Sequence, residues 1–300
     1  MNRVTSSSAS FQMMSDLSNA QRSLNQIQRE IASGKKMQRV SDAPAEAVAT
    51  LDHRARLRRA DQLDRNSDTA SQWLEASDRT NQSVVDQLTQ ARSLVIQAQS
   101  GANDANSRAA IANQLDALRQ SMLETANSSV LGRPIYSGTA AGATAYDTTT
   151  GAYLGDAGTV KMPVSEGVTM QVARTGPQVF GTYNATDPAN GDAFQLLSAM
   201  STAVRNNDTA AMTAGLGQLD GSLNRVQGVQ VDLGSRLKQL EDLRSAGAAH
   251  NEELKSSISN LEDVDIAEAA ITLQVRQMSY QAALQVTAKI VQQSLMDFLK

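Results

Sequence analysis

The chain contains no cysteine, only two histidines, and aromatic residues at 3% of the total. Without cysteine there is no disulfide framework, no thiol nucleophile and no Cys-ligated zinc. His53 and His250 are too far apart in sequence to supply a Ser/His/Asp arrangement or a His-rich metal site, and each reads as a lone histidine on a helix. No apolar run reaches the roughly 18 residues that would predict a membrane span. The opening MNRVTSSSAS also lacks the apolar core of a cleaved secretory signal, which leaves either the cytosol or an exit route without signal cleavage.

Phosphate loops and the common hydrolase and metalloprotease patterns are missing as well. SGKK at 33–36 has a Gly-Lys pair but not the upstream glycine of a phosphate loop, and DVD at 263–265 lacks the ligand spacing of a calcium loop. No catalytic residue, metal site or cofactor is therefore assigned. A net charge of −4 offers no basic face to nucleic acid. The one basic cluster, HRARLRR at 53–59, is followed by Asp61 and Asp64 and reads as a solvated helix face.

What is present is helical periodicity. Met13, Leu17, Ala20, Leu24, Ile27 and Ile31 fit the alternating four-and-three spacing of a coiled-coil seam, and Ser33-Gly34 closes that helix. Ser41 or Asp42 can accept orphan backbone N–H groups, and Pro44 suits the first turn of a second helix. Its later part carries Ala70, Leu74, Ser77, Asn81, Val84, Leu88, Ala91, Val95 and Ala98 in one register. SGANDANS breaks it, and Ile111, Leu115, Leu118 and Met122 begin a third run.

From Pro134 to about Asp192 the helical period is lost. Val160, Met162 and Val164, then Val168, Met170 and Val172, alternate around Ser165-Glu166-Gly167 and predict a hairpin with one apolar face. Trp73 reads as packing at a bundle edge, and the five tyrosines are too dispersed for a stacking platform. Helical period returns near Ala193, and one register runs from Leu216 to Leu261. The last segment keeps the spacing in two pieces, Ile271, Val275, Met278, Ala282 and then Leu284, Ala288, Val291, Leu295, Phe298, with a slip between them.

This order predicts a mostly α fold: a long antiparallel helical coiled-coil bundle formed by both chain ends, with a small central β-rich domain. Residues 1–44 with 265–300 form a terminal helical domain, 45–133 with 193–264 a helical bundle, and 134–192 the β-rich domain. A lone pair of helices buries one narrow seam and is marginal by itself. The stripes of Met13, Leu17, Leu24, Ile27 and Ile31 and of Leu284, Val291, Leu295 and Phe298 are therefore expected to be partly disordered before assembly and covered by other subunits in a polymer.

SGKKMQRVSDAPAEAV at 33–48 resembles the flagellin superfamily signature of a Ser-Gly-Lys turn followed by Ser-Asp-x-Pro opening a long helix. The resemblance rests there on Ser33, Gly34, Lys35, Ser41, Asp42 and Pro44. The next block, at 91–120, matches at Arg92, Leu94, Gln97 and Ala98. LGRPIYSGT at 131–139, GAYLGDAG at 151–158, EGVTMQV, GPQVFG at 176–181 and the ending QAALQVTAKIVQQSLMDFLK are more similar to the hook–filament junction branch than to filament flagellin. Ala43 stands where the family often has a second Asp, and Ser93 where filament flagellins carry Glu.

The resemblance implies a non-catalytic structural adaptor with its terminal domain buried in the flagellar tube. Its partners would be identical copies in a ring, the neighbouring hook-associated junction protein, flagellin, and a cytosolic export chaperone holding the C-terminal helix. It would leave unfolded through the flagellar channel, and would bind neither nucleic acid nor membrane. A minor filament flagellin is the alternative within the family, and a cytosolic coiled-coil scaffold the alternative outside it.

Overall fold

Seam residues at four-and-three spacing wind the chain into helices too long for an ordinary globular domain. The computed structural model describes residues 6–37, 39–41, 43–100, 104–187 and 191–298, and side chains for those from 11 to 289. In chain order these form α1 (Ser6–Ser33), α2 (Pro44–Gln99), α3 (Ala105–Ala126), β1 (Ser129–Val130), β2 (Arg133–Pro134), β3 (Lys161–Ser165), β4 (Val168–Gln171), α4 (Gly176–Phe180), α5 (Ala193–Arg205), α6 (Thr209–Glu262) and α7 (Ile266–Phe298). Two compact units result: Met1–Arg58 with His250–Lys300, and Arg59–Ala249.

The unit of residues 59–249 owns the core. All nine seam positions of α2 from Ala70 to Ala98 are buried, which aims one face of the helix inward along its whole later length. Full burial of a leucine such as Leu88 contributes roughly 2 kcal/mol. Helix α6 runs back beside α2: Gln99 bonds to Thr213, Arg92 to Asp220, Gln82 to Gln230 and Arg244 to Asp68. Each step along α2 is matched by an equal and opposite step along α6, so the antiparallel register holds without slip.

Capping chemistry delimits the shorter helices. Asp104 accepts from the Ser107 N–H at 2.7 Å to open α3, and Asp192 accepts from Phe194 and Gln195 to open α5. Helices α3 and α5 pack together, with the Ser201 hydroxyl donating to the Ala112 carbonyl across the contact.

Residues 134–192 form little regular sheet. β1 and β2 make one short antiparallel pair, and β3 and β4 make the expected hairpin, paired Met162 to Met170 and bulged between Pro163 and Ser165. Val160, Val164, Met170 and Val172 are buried against Ala70, Trp73, Leu74, Leu233 and Leu240. Trp73 is thus enclosed beneath the hairpin, 3% exposed, rather than at a bundle edge.

Three of the five tyrosines converge. Tyr136, Tyr146 and Tyr153 gather with Phe180 and Phe194, with ring centroids 4.9–5.5 Å apart. Gly176 lies against the Tyr146 ring, where a Cβ would collide with the phenol. The cluster is an interior one, joined to the core of α2, α3, α5 and α6, so it offers no exposed platform.

The unit of residues 1–58 and 250–300 is built differently. Helices α1 and α7 pack along each other. The end of α1 meets the start of α7, with Val264 N–H donating to the Gly34 carbonyl at 3.0 Å, so the pair is antiparallel. Among the described residues only Ala47, Leu254 and Ala269 are buried apolar side chains of this unit. The rest of its described apolar contact is made by half-buried side chains along the α1–α7 seam, a narrow strip for two long helices.

Candidate functional site: the paired chain ends

The Ser-Gly-Lys turn holds the two chain ends together. Gly34 takes φ +70° with no atom within 4 Å of where a Cβ would stand, so conformation and not crowding calls for glycine. The turn places Lys35 and Lys36 beside the α6–α7 junction. Lys36 N–H donates to the Glu262 carbonyl at 2.7 Å, and the Lys35 ammonium donates to Asp263 Oδ1 at 2.6 Å and Glu262 Oε2 at 3.2 Å. From α2, Arg54 adds a second cation to Glu262 Oε2 at 2.7 Å, while the Ser259 hydroxyl donates to Asp263 Oδ2.

The Glu262 side chain is only 9% exposed. A buried carboxylate is costly unless paired and hydrogen-bonded, and here Lys35 and Arg54 both neutralise it. The hydrogen bonds to Asp263 and Glu262 raise the Lys35 ammonium above its ordinary value. The bond from Lys35, then that from Ser259, lowers Asp263 below the usual carboxylate value.

Beyond this clasp, α7 turns one face to α1 and holds a second, apolar face in the open. On α1, Met13, Leu17, Ala20, Leu24, Ile27 and Ile31 are half-buried, as their spacing predicts for a seam. The matching face of α7 is Ala269, Leu273, Tyr280, Ala283 and Thr287, a set of mostly small or polar residues. Ile271, Val275 and Met278, the stripe that the spacing singles out, stand on another face at 64%, 50% and 62% exposure. Leu284 and Val286 are bare too, as are Phe11 and Met14 on α1. Val291, Leu295 and Phe298 belong to α7, but their side chains lie outside the described residues.

The remaining motif residues are scattered. Ser33 ends α1, Pro44 opens α2 and Ser41 is exposed in the turn between them, while Asp42 lies outside the described residues. Arg92 ties α2 to α6 through Asp220 at 2.7 Å, Leu94 faces the core and Gln97 is exposed. Sequence reasoning missed Glu262 and Asp263 as partners of Lys35, and Arg54 as the second cation on Glu262. Their only signal is a run of ordinary charged residues, because the pairing is made more than two hundred positions away. It also missed the bridge in which Asp232 takes Arg174 at 2.6 Å and Arg236 at 2.7 Å. Burial works to raise Asp232, but the two arginines outweigh it and hold the carboxyl low.

No described helix is long and apolar enough to cross a membrane, and no group of three potential metal ligands occurs among the described residues. The features left are a tie between the two ends of the chain and a bare apolar face on the helix that follows it. The chain belongs to the bacterial flagellin family: residues 4–140 match its N-terminal helical region and residues 216–299 its C-terminal helical region. It is similar to flagellar hook-associated protein 3 of Salmonella typhimurium, 28% identical over 299 residues and 94% of each chain. The protein of that name from Escherichia coli is 25% identical over 272 residues, 85% of this chain and 86% of the other. Among solved structures, a putative flagellar hook-associated protein from Vibrio parahaemolyticus aligns with TM-score 0.66 at 19% identity, over 74% of this chain and 100% of that one. At that identity the likeness is one of fold.

Proposed function

We propose that this chain is a structural adaptor of the bacterial flagellum, forming the layer between hook and filament through its terminal helices. The observation that carries this reading is the bare stripe of Ile271, Val275 and Met278 on a unit with almost no core of its own. A monomer gains nothing by holding such a face in water, whereas a polymer covers it with the next subunit. The names of the relatives point to the same place in the flagellum.

In this reading residues 1–44 and 265–300 lie within the tube wall, 45–133 with 193–264 form the body, and 134–192 face outward. The copies form a ring that contacts a neighbouring hook-associated protein on one side and flagellin on the other. The chain performs no catalysis. It passes unfolded through the export channel, with a chaperone holding the end of α7 at Leu284, Val291, Leu295 and Phe298 beforehand. The scarcity of core in the unit of the chain ends suits it to being unfolded and refolded at low cost.

Deleting the gene and imaging the flagella tests the proposal. Bare hooks, with flagellin accumulating in the medium, are expected. Normal filaments would overturn it in favour of a minor filament subunit or an unrelated scaffold.

A further inference from the structure

Helix α5 faces the core for most of its length, with Phe194, Leu196, Leu197, Met200 and Val204 all buried. The residue that opens it, Asp192, is itself only 1% exposed. Its carboxylate accepts from the Phe194 N–H at 3.0 Å and the Gln195 N–H at 2.8 Å. Among the described residues it is in no ion pair.

Three neighbours bear on its charge. From α3, Arg119 favours the ionised form, but its guanidinium is turned to the Thr149 and Thr150 carbonyls at 3.4 and 3.5 Å. From α6, the Arg225 guanidinium stands against Gly181, as does the Asp192 backbone. From the aromatic cluster, Tyr146 adds a phenol whose oxygen is buried without a hydrogen-bond partner, and which burial, then Asp192, makes harder to ionise. Burial of Asp192 outweighs the bonds from Gln195 and Phe194 and the charge of Arg119, and raises its carboxyl above the ordinary 3.8.

A helix needs no such charge at its start. Asparagine caps about as well as aspartate and brings no charge to desolvate, so the unpaired carboxylate is a standing cost to the folded state. The cost falls on the unit of residues 59–249, which owns the core, and not on the unit of the chain ends, which has little core to open.

We propose that the Asp192 carboxylate is a release built into the best-packed part of the chain: ionised in place at neutral pH, it holds the α3–α5 core below the stability its packing would give, so that this unit too is readily opened for export. The release role rests on the export reading above. Its sign follows from linkage. The unfolded chain ionises at this position near 3.8 and the fold only at a higher pH, so across that interval the fold keeps a proton that the unfolded chain has lost. Stability therefore falls as pH rises through the interval, and the full cost is present above it.

Urea unfolding of the full chain and of Asp192→Asn, followed through Trp73 at a series of pH values, tests the device. Near pH 3.8 the two midpoints should differ least, and toward neutrality the midpoint of the native chain should fall behind that of the variant. A difference that stays constant with pH overturns the proposal, because a change of cap alone carries no pH dependence. If the variant fails to fold, the Phe194 and Gln195 amide resonances of the native chain, whose N–H groups meet the carboxylate, report its ionisation directly: a midpoint above 3.8 is expected, and one at or below it overturns the proposal. In cells lacking the native copy, Asp192→Asn should leave a larger fraction of the chain in the cytosol than the native sequence does. Equal export of the two overturns the release role. A native chain found only in the cytosol would sink the export reading, and the release role with it, while the pH-dependent midpoints would stand.

Discussion

Lys35 Nζ lies 2.6 Å from Asp263 Oδ1, although 228 residues separate them in sequence. Closing so long a loop is costly for a single surface ion pair. The contact persists because α2 leads away and α6 leads back, so two helices deliver the two turns to one place. Glu262, shared by Lys35 and Arg54, then fastens three segments at a buried carboxylate.

Removing that carboxylate should loosen the clasp more than removing either cation. Glu262→Ala leaves Arg54 without its carboxylate and Lys35 with Asp263 alone, and should cost about 1–3 kcal/mol locally. Lys35→Met should cost less than about 1 kcal/mol, since the ammonium is partly exposed and screened. Hydrogen exchange at the Lys36 and Val264 amides, both donors in the clasp, measures this. Faster exchange in Lys35→Met than in Glu262→Ala would contradict the assignment.

The clasp should also open from the acid side. Asp263 is lowered from its ordinary 3.8, so its contribution is complete above that value and is lost as pH falls through the lower folded one. Lys35 is raised from 10.5, so its contribution is complete below 10.5 and lost only as pH rises through the higher folded value. Around neutrality both are intact. In an acid titration of exchange at the same amides, corrected for the intrinsic rate, the native chain should lose protection below pH 3.8. Asp263→Asn should lack that step, and superimposable curves would refute the linkage.

Legibility from sequence divides along these lines. The α2 seam from Ala70 to Ala98 could be read in full because a helix core facing one way must repeat with the helix. The register of α7 could not. Spacing marks the apolar residues Ile271, Val275 and Met278, whereas the face against α1 mixes Leu273 and Tyr280 with Ala269, Ala283 and Thr287, a set with no sustained large-apolar repeat to read. The hairpin was legible from its alternation, but its placement over Trp73 was not, since nothing local records which helices it covers. The tyrosine and phenylalanine cluster was hidden for the same reason. Its members are spread over 136–194 and are brought together by turns of no regular period.

Glycine at 138 should prove far less replaceable than glycine at 132. Both have positive φ, +69° and +77°. A Cβ at 132 meets nothing within 4 Å, so Gly132→Ala should cost only the strain of the left-handed conformation, about 1–2 kcal/mol. At 138 it would strike the Asp156 carboxylate and lie 2.6 Å from that residue's carbonyl oxygen. That carboxylate accepts from the Thr139 N–H at 2.7 Å and the Thr139 hydroxyl at 2.6 Å, so the loop would have to give up these bonds. Urea unfolding of the two variants, followed by the sole tryptophan, Trp73, should rank Gly138→Ala clearly below Gly132→Ala; equal midpoints would show that the loop relaxes freely.

Stability and assembly should separate cleanly between two apolar residues of similar size. Leu88 is fully buried in the main core, so Leu88→Ala should lose about 2–5 kcal/mol of unfolding free energy. Met278 is 62% exposed, and Met278→Glu should change the stability of the monomer by no more than about 0.5 kcal/mol. Its effect belongs to the polymer, where a carboxylate placed on a covered stripe must be desolvated without a partner. Cells expressing Met278→Glu should therefore secrete a normally folded chain and flagellin but build no filaments. Filaments of normal number and length on that background would show that the α7 stripe stays in water after assembly, and another surface would have to carry the contact.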